Sequence, residues 1–305
     1  MTKIVVISGA TSSGKSKLAI DFVEKIRNKQ ESVIINADSL QFYQGLPILS
    51  AQPSKEEQEI TKHRLYSQSP VENISSVANW LKLVKIEVDQ AIANKEMPII
   101  VGGTGMYICA LMDGLSPIRE VDPKIRQIAT QYLDENGIED LQNKLISLGD
   151  KKIIDRQRLI RAYEVYLDTG KTITYFQNQP KEKTFKNANF IHLNLEIDRA
   201  ELYKNCNSRF DKMIEGGALS EVQILREKIK DNIYPVTNTL GYLEICQYLD
   251  GKISKEEMAE IVTKKTRNYA KRQLTWFRNQ IKDKQVCNNS SDSIKYLTSC
   301  INNDH

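Results

Sequence analysis

Apolar and polar positions along the first hundred residues alternate between two patterns. Lys3–Ser8 (KIVVIS) is a short β-branched run closed by Gly9, and Ser32–Ile35 and Pro98–Val101 are two more such runs. Each leads into a Gly, Asp or Asn cluster, as strands leaving a sheet do. Between the first two runs, Leu18, Ala19, Phe22, Val23 and Ile26 recur at helical spacing and predict a helix over 16–27. This rhythm of strand, loop and helix predicts an α/β fold built on a parallel sheet, with its sites at the strand C-termini.

From about Ser116 the pattern changes. Residues 119–190 lack continuous apolar runs and are charged and helical in pattern, opening at Asp122-Pro123. Strand character returns at Phe190–Leu195 (FIHLNL). Asp198 then caps a helix carrying Arg209, Phe210 and Met213 that stops at Gly216-Gly217. A long helix is expected over 255–282, and a polar, frayed tail from Asn288. The expected organisation is a core over 1–118, a helical insertion over 119–190, the rest of the core over 191–287, and a tail over 288–305.

Composition narrows this picture only modestly. The chain has 305 residues, 40% hydrophobic and 27% charged, with a formal net charge of +4. These values fit a globular protein whose nucleic-acid surface, if it has one, is local. No apolar stretch reaches membrane-spanning length, and the N-terminus lacks the pattern of a secretory signal. The five cysteines form no CxxC pair, which points to a reduced cytoplasmic protein without structural zinc.

The sharpest signal is Gly9-Ala10-Thr11-Ser12-Ser13-Gly14-Lys15-Ser16, which fits GxxxxGK[ST] between a strand and a helix. Its backbone amides and the helix N-terminus suit a polyphosphate. Lys15 would neutralise the terminal oxygens, and Ser16 would hold Mg²⁺. The motif specifies polyphosphate, not ATP. A guanine-selective NKxD is missing, because Asn28-Lys29-Gln30-Glu31 lacks the Asp.

The other strand ends carry further groups. The second runs into Asn36-Ala37-Asp38-Ser39-Leu40-Gln41 and the third into Gly102-Gly103-Thr104-Gly105. From residue chemistry alone, Asp38 serves equally as a general base or as an acid holding Mg²⁺ through water. Thr104 is either a hydrogen-bond donor to a leaving group or plain turn chemistry. Two basic stretches follow. One is Arg156, Arg158 and Arg161. The other runs over 261–284, where Lys264, Lys265, Arg267, Lys271, Arg272, Arg278, Lys282 and Lys284 face the single acid Asp283. On a helical grid Lys264, Lys271, Arg278 and Lys282 share one side, and Ala270, Leu274, Phe277 and Ile281 another. Such a face is either solvated or built for RNA phosphates, and interleaved Tyr269, Trp276 and Phe277 favour the latter.

Taken together and in order, these segments resemble the tRNA dimethylallyltransferase (tRNA isopentenyltransferase) family. The resemblance runs through the phosphate loop, NADSLQFYQGLPILSAQPS, VGGTGMYI, DRQRLIRAYEVYLDTGKTIT, RFDKMIEGGALSEV, LGYLEI and TRNYAKRQLTWFR, up to about residue 280. Two segments depart from the family pattern: KHRLYS keeps only His63, and SAQP stands where TAKP is usual.

The resemblance implies a P-loop NTPase-like core with a helical insertion. It implies transfer of a dimethylallyl group from dimethylallyl diphosphate to N6 of the adenine 3′ of the tRNA anticodon, with Mg²⁺ at Ser16. Asp38 becomes the base, and Thr104 and Arg209 join the loop around diphosphate. Asp38, Ser39, Leu40, Gln41 and Thr104 would meet the adenine. Arg126, Gln157, Arg158, Leu159, Ile160, Arg161, Gly241, Tyr242, Lys271, Arg272, Gln273 and Arg278 would contact the anticodon stem-loop. The expected protein is a cytoplasmic monomer with no membrane partner. Two rivals share the loop: an ATP-dependent small-molecule kinase, and a non-catalytic RNA-binding protein using ATP as a conformational ligand.

Overall fold

A computed structural model describes residues 2–229 and 234–302. The elements run β1 (Thr2–Gly9), α1 (Lys15–Ile26), β2 (Ser32–Asn36), α2 (Lys55–Ile60), β3 (Lys62–Arg64), α3 (Val77–Ala93), β4 (Met97–Gly102) and α4 (Gly105–Asp113). Next come α5 (Pro123–Ser147), α6 (Arg156–Thr169), α7 (Ile173–Gln177), β5 (Ala188–Leu195), α8 (Arg199–Glu215) and α9 (Ala218–Lys228). A 3₁₀ turn (Pro235–Asn238), α10 (Tyr242–Leu249), α11 (Lys255–Gln280), β6 (Gln285–Cys287) and α12 (Ser290–Asn302) complete the chain.

The six strands form one sheet of order β3-β2-β4-β1-β5-β6, parallel throughout. Strands β2 and β4 are buried along their whole length, which is why they read as unbroken apolar runs rather than alternating ones. The register sets Ile7 of β1 and Asn36 of β2 level with Val101 of β4. The turns that follow these three strands therefore emerge side by side at the carboxyl end of the sheet, where parallel α/β sheets bind ligands.

The apolar stripe of α1 (Leu18, Phe22, Ile26) packs with Ile7, Ile34, Ile99 and Leu193 of the sheet. Trp80, Val84 and Val88 are the buried face of α3. A second cluster joins Leu46 and Leu49 to Phe210, Val222, Tyr242 and Val262. Residues Asp113–Thr184 form a separate compact unit, beginning and ending six residues before the expected insertion. Its own core is Ala129, Leu133, Leu141, Leu145, Leu159, Ile160 and Tyr163. Helix α5 bends at Gly137, whose φ of 85° is left-handed.

Two expectations need correction, and two short strands carry no sequence signal. Over its described residues the tail is not frayed: α12 buries Leu297 and packs Ile294, Tyr296 and Ile301 onto the main core. Its apolar residues recur at helical spacing inside a polar stretch, a weak signal by composition. The short edge strands β3 and β6, of three residues each, fell below what periodicity can detect. Helix α11 ends at Gln280, so Lys282 lies beyond it and not on its basic face. Among the described residues no helix is long and apolar enough to cross a membrane.

Candidate active site

The phosphate loop leaves β1 and enters α1 through Gly14, whose φ of 89° suits glycine alone. Ser12 also has positive φ, at 63°. Lys15 is half-buried, and its Nζ donates to the Ala10 carbonyl at 3.4 Å. Burial lowers its pKa to about 8; the Asp38 carboxylate acts against that shift, and the Arg209 guanidinium reinforces it. Ser16 is exposed at the first turn of α1.

Asp38 is held rigidly. Its N–H donates to Asn36 Oδ1 at 2.7 Å, and Asn36 Nδ2 donates to the carbonyls of Asp38 and Leu65, both at 2.9 Å. Trp80 Nε1 in turn donates to the Asn36 carbonyl at 2.9 Å. One carboxylate oxygen of Asp38 accepts the Leu40 N–H at 3.0 Å, an Asx turn that aims the acid back toward the strand ends. Asn36 and Trp80 escaped sequence reading because their work is done through backbone atoms of their neighbours.

Thr104 faces the same turn. Its N–H donates to the Ala37 carbonyl at 3.2 Å, and its hydroxyl accepts the Ser39 N–H at 3.0 Å. Arg209, on α8, donates from Nη1 to the Thr11 hydroxyl at 3.2 Å, and Asn205 one turn earlier reaches the Ser12 carbonyl. The structure thus gathers Lys15, Asp38, Thr104 and Arg209 from four separate segments.

Two cavities meet there. One, of about 450 Å³, has walls of Tyr43, Tyr107, Phe210, Tyr269 and Arg272. The other, of about 830 Å³, opens over Lys15, Ser16, Lys17 and Lys212. Thr11, Asp38 and Arg209 line both. Burial, reinforced by the Asp38 charge, raises the pKa of Tyr269 to about 12, so this tyrosine stays a neutral hydrogen-bonding group. Tyr269, expected among the RNA-facing aromatics of α11, instead lines this cavity, and Phe277 is fully buried, because helix turn and not proximity in sequence decides where each ring faces.

The two departures from the family pattern line the second cavity. His63 Nδ1 meets the Thr61 carbonyl at 3.0 Å, and burial lowers its pKa. Gln52 donates to the Tyr43 carbonyl at 3.0 Å and accepts the Ser67 hydroxyl at 2.7 Å.

The expected RNA residues divide sharply. Lys271, Arg272 and Arg278 are exposed on α11, although Arg278 is paired with Glu196. Gln41 donates to the carbonyls of Ser50 and Ala51. In the insertion, Arg126 bonds both Glu164 and Gln157, Arg161 shares the buried Glu164, and Arg158 is exposed. Four residues are placed elsewhere. Leu159 and Ile160 are core of the insertion, and Tyr242 is fully buried at the start of α10, which Gly241 caps. Gln273 is buried, with its amide engaged inside the protein. A contiguous motif includes these positions, but a helix turns such residues inward.

A model of the IPP transferase family matches residues 41–280. A tRNA dimethylallyltransferase of Caulobacter sp. (strain K31) is 38% identical over 287 residues, covering 92% of this chain and 91% of that protein. The tRNA dimethylallyltransferase of Wolbachia sp. subsp. Brugia malayi is 39% identical over 299 residues, covering 96% and 98%. The solved tRNA isopentenylpyrophosphate transferase of Bacillus halodurans superposes with a TM-score of 0.70 at 27% identity, covering 99% of this chain and 96% of that one. With most of its length matched at this identity, the chain belongs to the IPP transferase family.

Proposed function

We propose that this chain is a tRNA prenyltransferase that moves a dimethylallyl group from dimethylallyl diphosphate to N6 of the adenine immediately 3′ of the anticodon, releasing diphosphate. The observation that carries this reading is the meeting of two cavities at Asp38 and Arg209. A polyphosphate site alone needs one cavity. An alkyl transfer needs a donor and a flat acceptor approaching one reactive carbon from opposite sides.

The diphosphate lies over the loop against Lys15 and Arg209, whose charges stabilise the oxygen left as the carbon–oxygen bond breaks. The extruded adenine enters the aromatic cavity, stacked against tyrosine rings, with its amine toward Asp38. The N6 lone pair forms the new bond to the allylic carbon, and the N6 proton passes to the Asp38 carboxylate. Thr104, whose hydroxyl accepts the Ser39 N–H beside Asp38, would donate its own hydroxyl proton to the departing oxygen. The Ser16 hydroxyl, with diphosphate oxygens, would make a hard oxygen donor set suited to Mg²⁺. That ion would neutralise the departing diphosphate.

The acceptor RNA is read by exposed cations of α11 and by Arg126, Arg158 and Arg161 of the insertion. The protein acts as a cytoplasmic monomer on this reading. Incubating it with tRNA and either dimethylallyl diphosphate or ATP, then weighing the nucleosides, separates this function from both rivals. An adenosine heavier by one dimethylallyl group, formed only with the allylic donor, is the expected product. Phosphoryl transfer from ATP, or RNA binding without product, would reject the reading.

A further inference from the structure

Helix α11 does more than present cations. Between its exposed Lys271 and Arg272 and its half-buried Trp276, Gln273 points inward and is only 7% exposed. Its Oε1 accepts the Thr11 N–H at 2.8 Å, and its Nε2 donates to the Gly103 carbonyl at 2.8 Å. The two partners fix which end of the amide is which, since a backbone N–H can only donate and a carbonyl only accept. Gly103 admits this contact because it lacks a side chain: a Cβ there would lie 2.6 Å from Nε2. One turn on, the Trp276 ring covers Gly105 so closely that a Cβ would lie 2.1 Å from it. The helix is thus seated on the glycine turn at two successive levels.

The two ends of the Gln273 amide belong to different halves of the site. Thr11 sits in the phosphate loop and also holds Arg209 through its hydroxyl. Gly103 precedes Thr104, which holds Ser39 beside Asp38. We propose that Gln273 is a positioning residue: its amide latches the phosphate loop to the Gly103–Thr104 turn and couples α11, with its exposed cations, to the diphosphate site. RNA phosphates drawn to Lys271 would then steady both ends of the latch, so that RNA and diphosphate bind more tightly together than apart, and by the same factor in each direction. The inference rests on the transfer reaction proposed above for its RNA ligand.

The test uses two variants. Gln273→Met keeps length and removes both bonds; Gln273→Glu keeps the acceptor for Thr11 and loses the donor to Gly103. Pyrophosphate affinity is measured by calorimetry with and without a tRNA anticodon stem-loop, alongside kcat, KM for dimethylallyl diphosphate, tRNA affinity and Tm. In the wild type, the stem-loop tightens pyrophosphate. In Gln273→Met that tightening vanishes, and KM for the diphosphate rises on the order of tenfold, the scale of losing a buried hydrogen bond. Affinity for tRNA alone and its salt dependence stay as in the wild type. A purely structural role would lower Tm without touching the coupling. Loss of tRNA affinity with unchanged pyrophosphate binding would make Gln273 an RNA contact and overturn the latch, as would a wild type whose pyrophosphate affinity ignores the stem-loop. Should Gln273→Met fail to fold, Gln273→Glu is read by the same cycle. Pyrophosphate binding is scored without turnover, so a wild type that binds it yet makes no prenylated adenosine rejects the reaction and leaves the loop measurement standing.

Discussion

Arg209 donates to the Thr11 hydroxyl at 3.2 Å, so a guanidinium that lines both cavities is also tied to the phosphate loop. Sequence alone makes a helix arginine a solvated surface group; here burial works against its charge, and Asp38, followed by Cys206, acts to favour it. Replacing Arg209 with Gln is expected to lower kcat/KM for dimethylallyl diphosphate by about 10²–10³-fold. Binding of tRNA should hold. A variant within a few-fold of wild type in steady-state assays would remove Arg209 from the diphosphate site.

Lys15 gives a prediction with a definite pH sign. Its pKa falls from an unfolded value near 10.5 to about 8 in the folded protein. The unfolded chain therefore binds more protons between those values, and this group's penalty on folding, full below about pH 8, fades as pH rises toward 10.5. Lys15→Met should accordingly raise Tm of the ligand-free protein at pH 7, and the gain should shrink by pH 10. The same variant should abolish transfer and leave tRNA binding intact. Diphosphate favours the charged lysine, so binding near pH 8.5 should take up a proton. Calorimetry in buffers of different ionisation heat measures that uptake, and a zero value would assign the charge change elsewhere.

Asp38→Asn keeps the size and the Leu40 turn but cannot take the N6 proton. The single-turnover rate is expected to fall by about 10²–10⁴-fold, with Tm nearly unchanged. Asn36→Ala acts differently: it removes the amide that pins Asp38 and leaves the acid itself in place. It should cost rate and stability together. If excess Mg²⁺ restores Asp38→Asn, the carboxylate serves the metal and not the proton.

How far the site could be read in advance depended on where each group's partners lie. The phosphate loop declares itself because its eight residues are contiguous and glycine spacing dictates its shape. Asp38 and Thr104 were legible as polar groups at strand ends, since parallel sheets put such ends in one row. The inward turn of Gln273 is not legible in sequence, because its partners, Thr11 and Gly103, lie far away along the chain. Leu159 and Ile160 fell within a basic motif yet form core, since a helix alternates its faces faster than a motif changes composition. α12 was lost because Leu297 alone is its fully buried apolar residue.

Helix α11 offers the last prediction, because its two faces separate affinity from stability. Ala270 and Phe277 are fully buried and Leu274 is half-buried against the core, while Lys264 and Lys271 are exposed. Each phosphate contact releases counterions and adds about 0.7–0.9 to the salt slope of RNA binding. Replacing Lys264 and Lys271 together with Gln should flatten that slope by roughly 1.4–1.8 and raise KM for tRNA, with Tm unchanged. Arg278 is expected to add less than a full contact, because Glu196 already pairs with it and RNA must break that pair. Glu196→Gln, which frees the guanidinium, should therefore tighten RNA binding and steepen the slope. The opposite face behaves as core: Phe277→Ala should cost about 3–5 kcal/mol of stability, and Leu274→Ala less. Filter binding across a salt series reads the first set, and urea unfolding the second. A double Lys variant with the wild-type slope would make this face a solvated one and move the RNA surface to Arg126, Arg158 and Arg161.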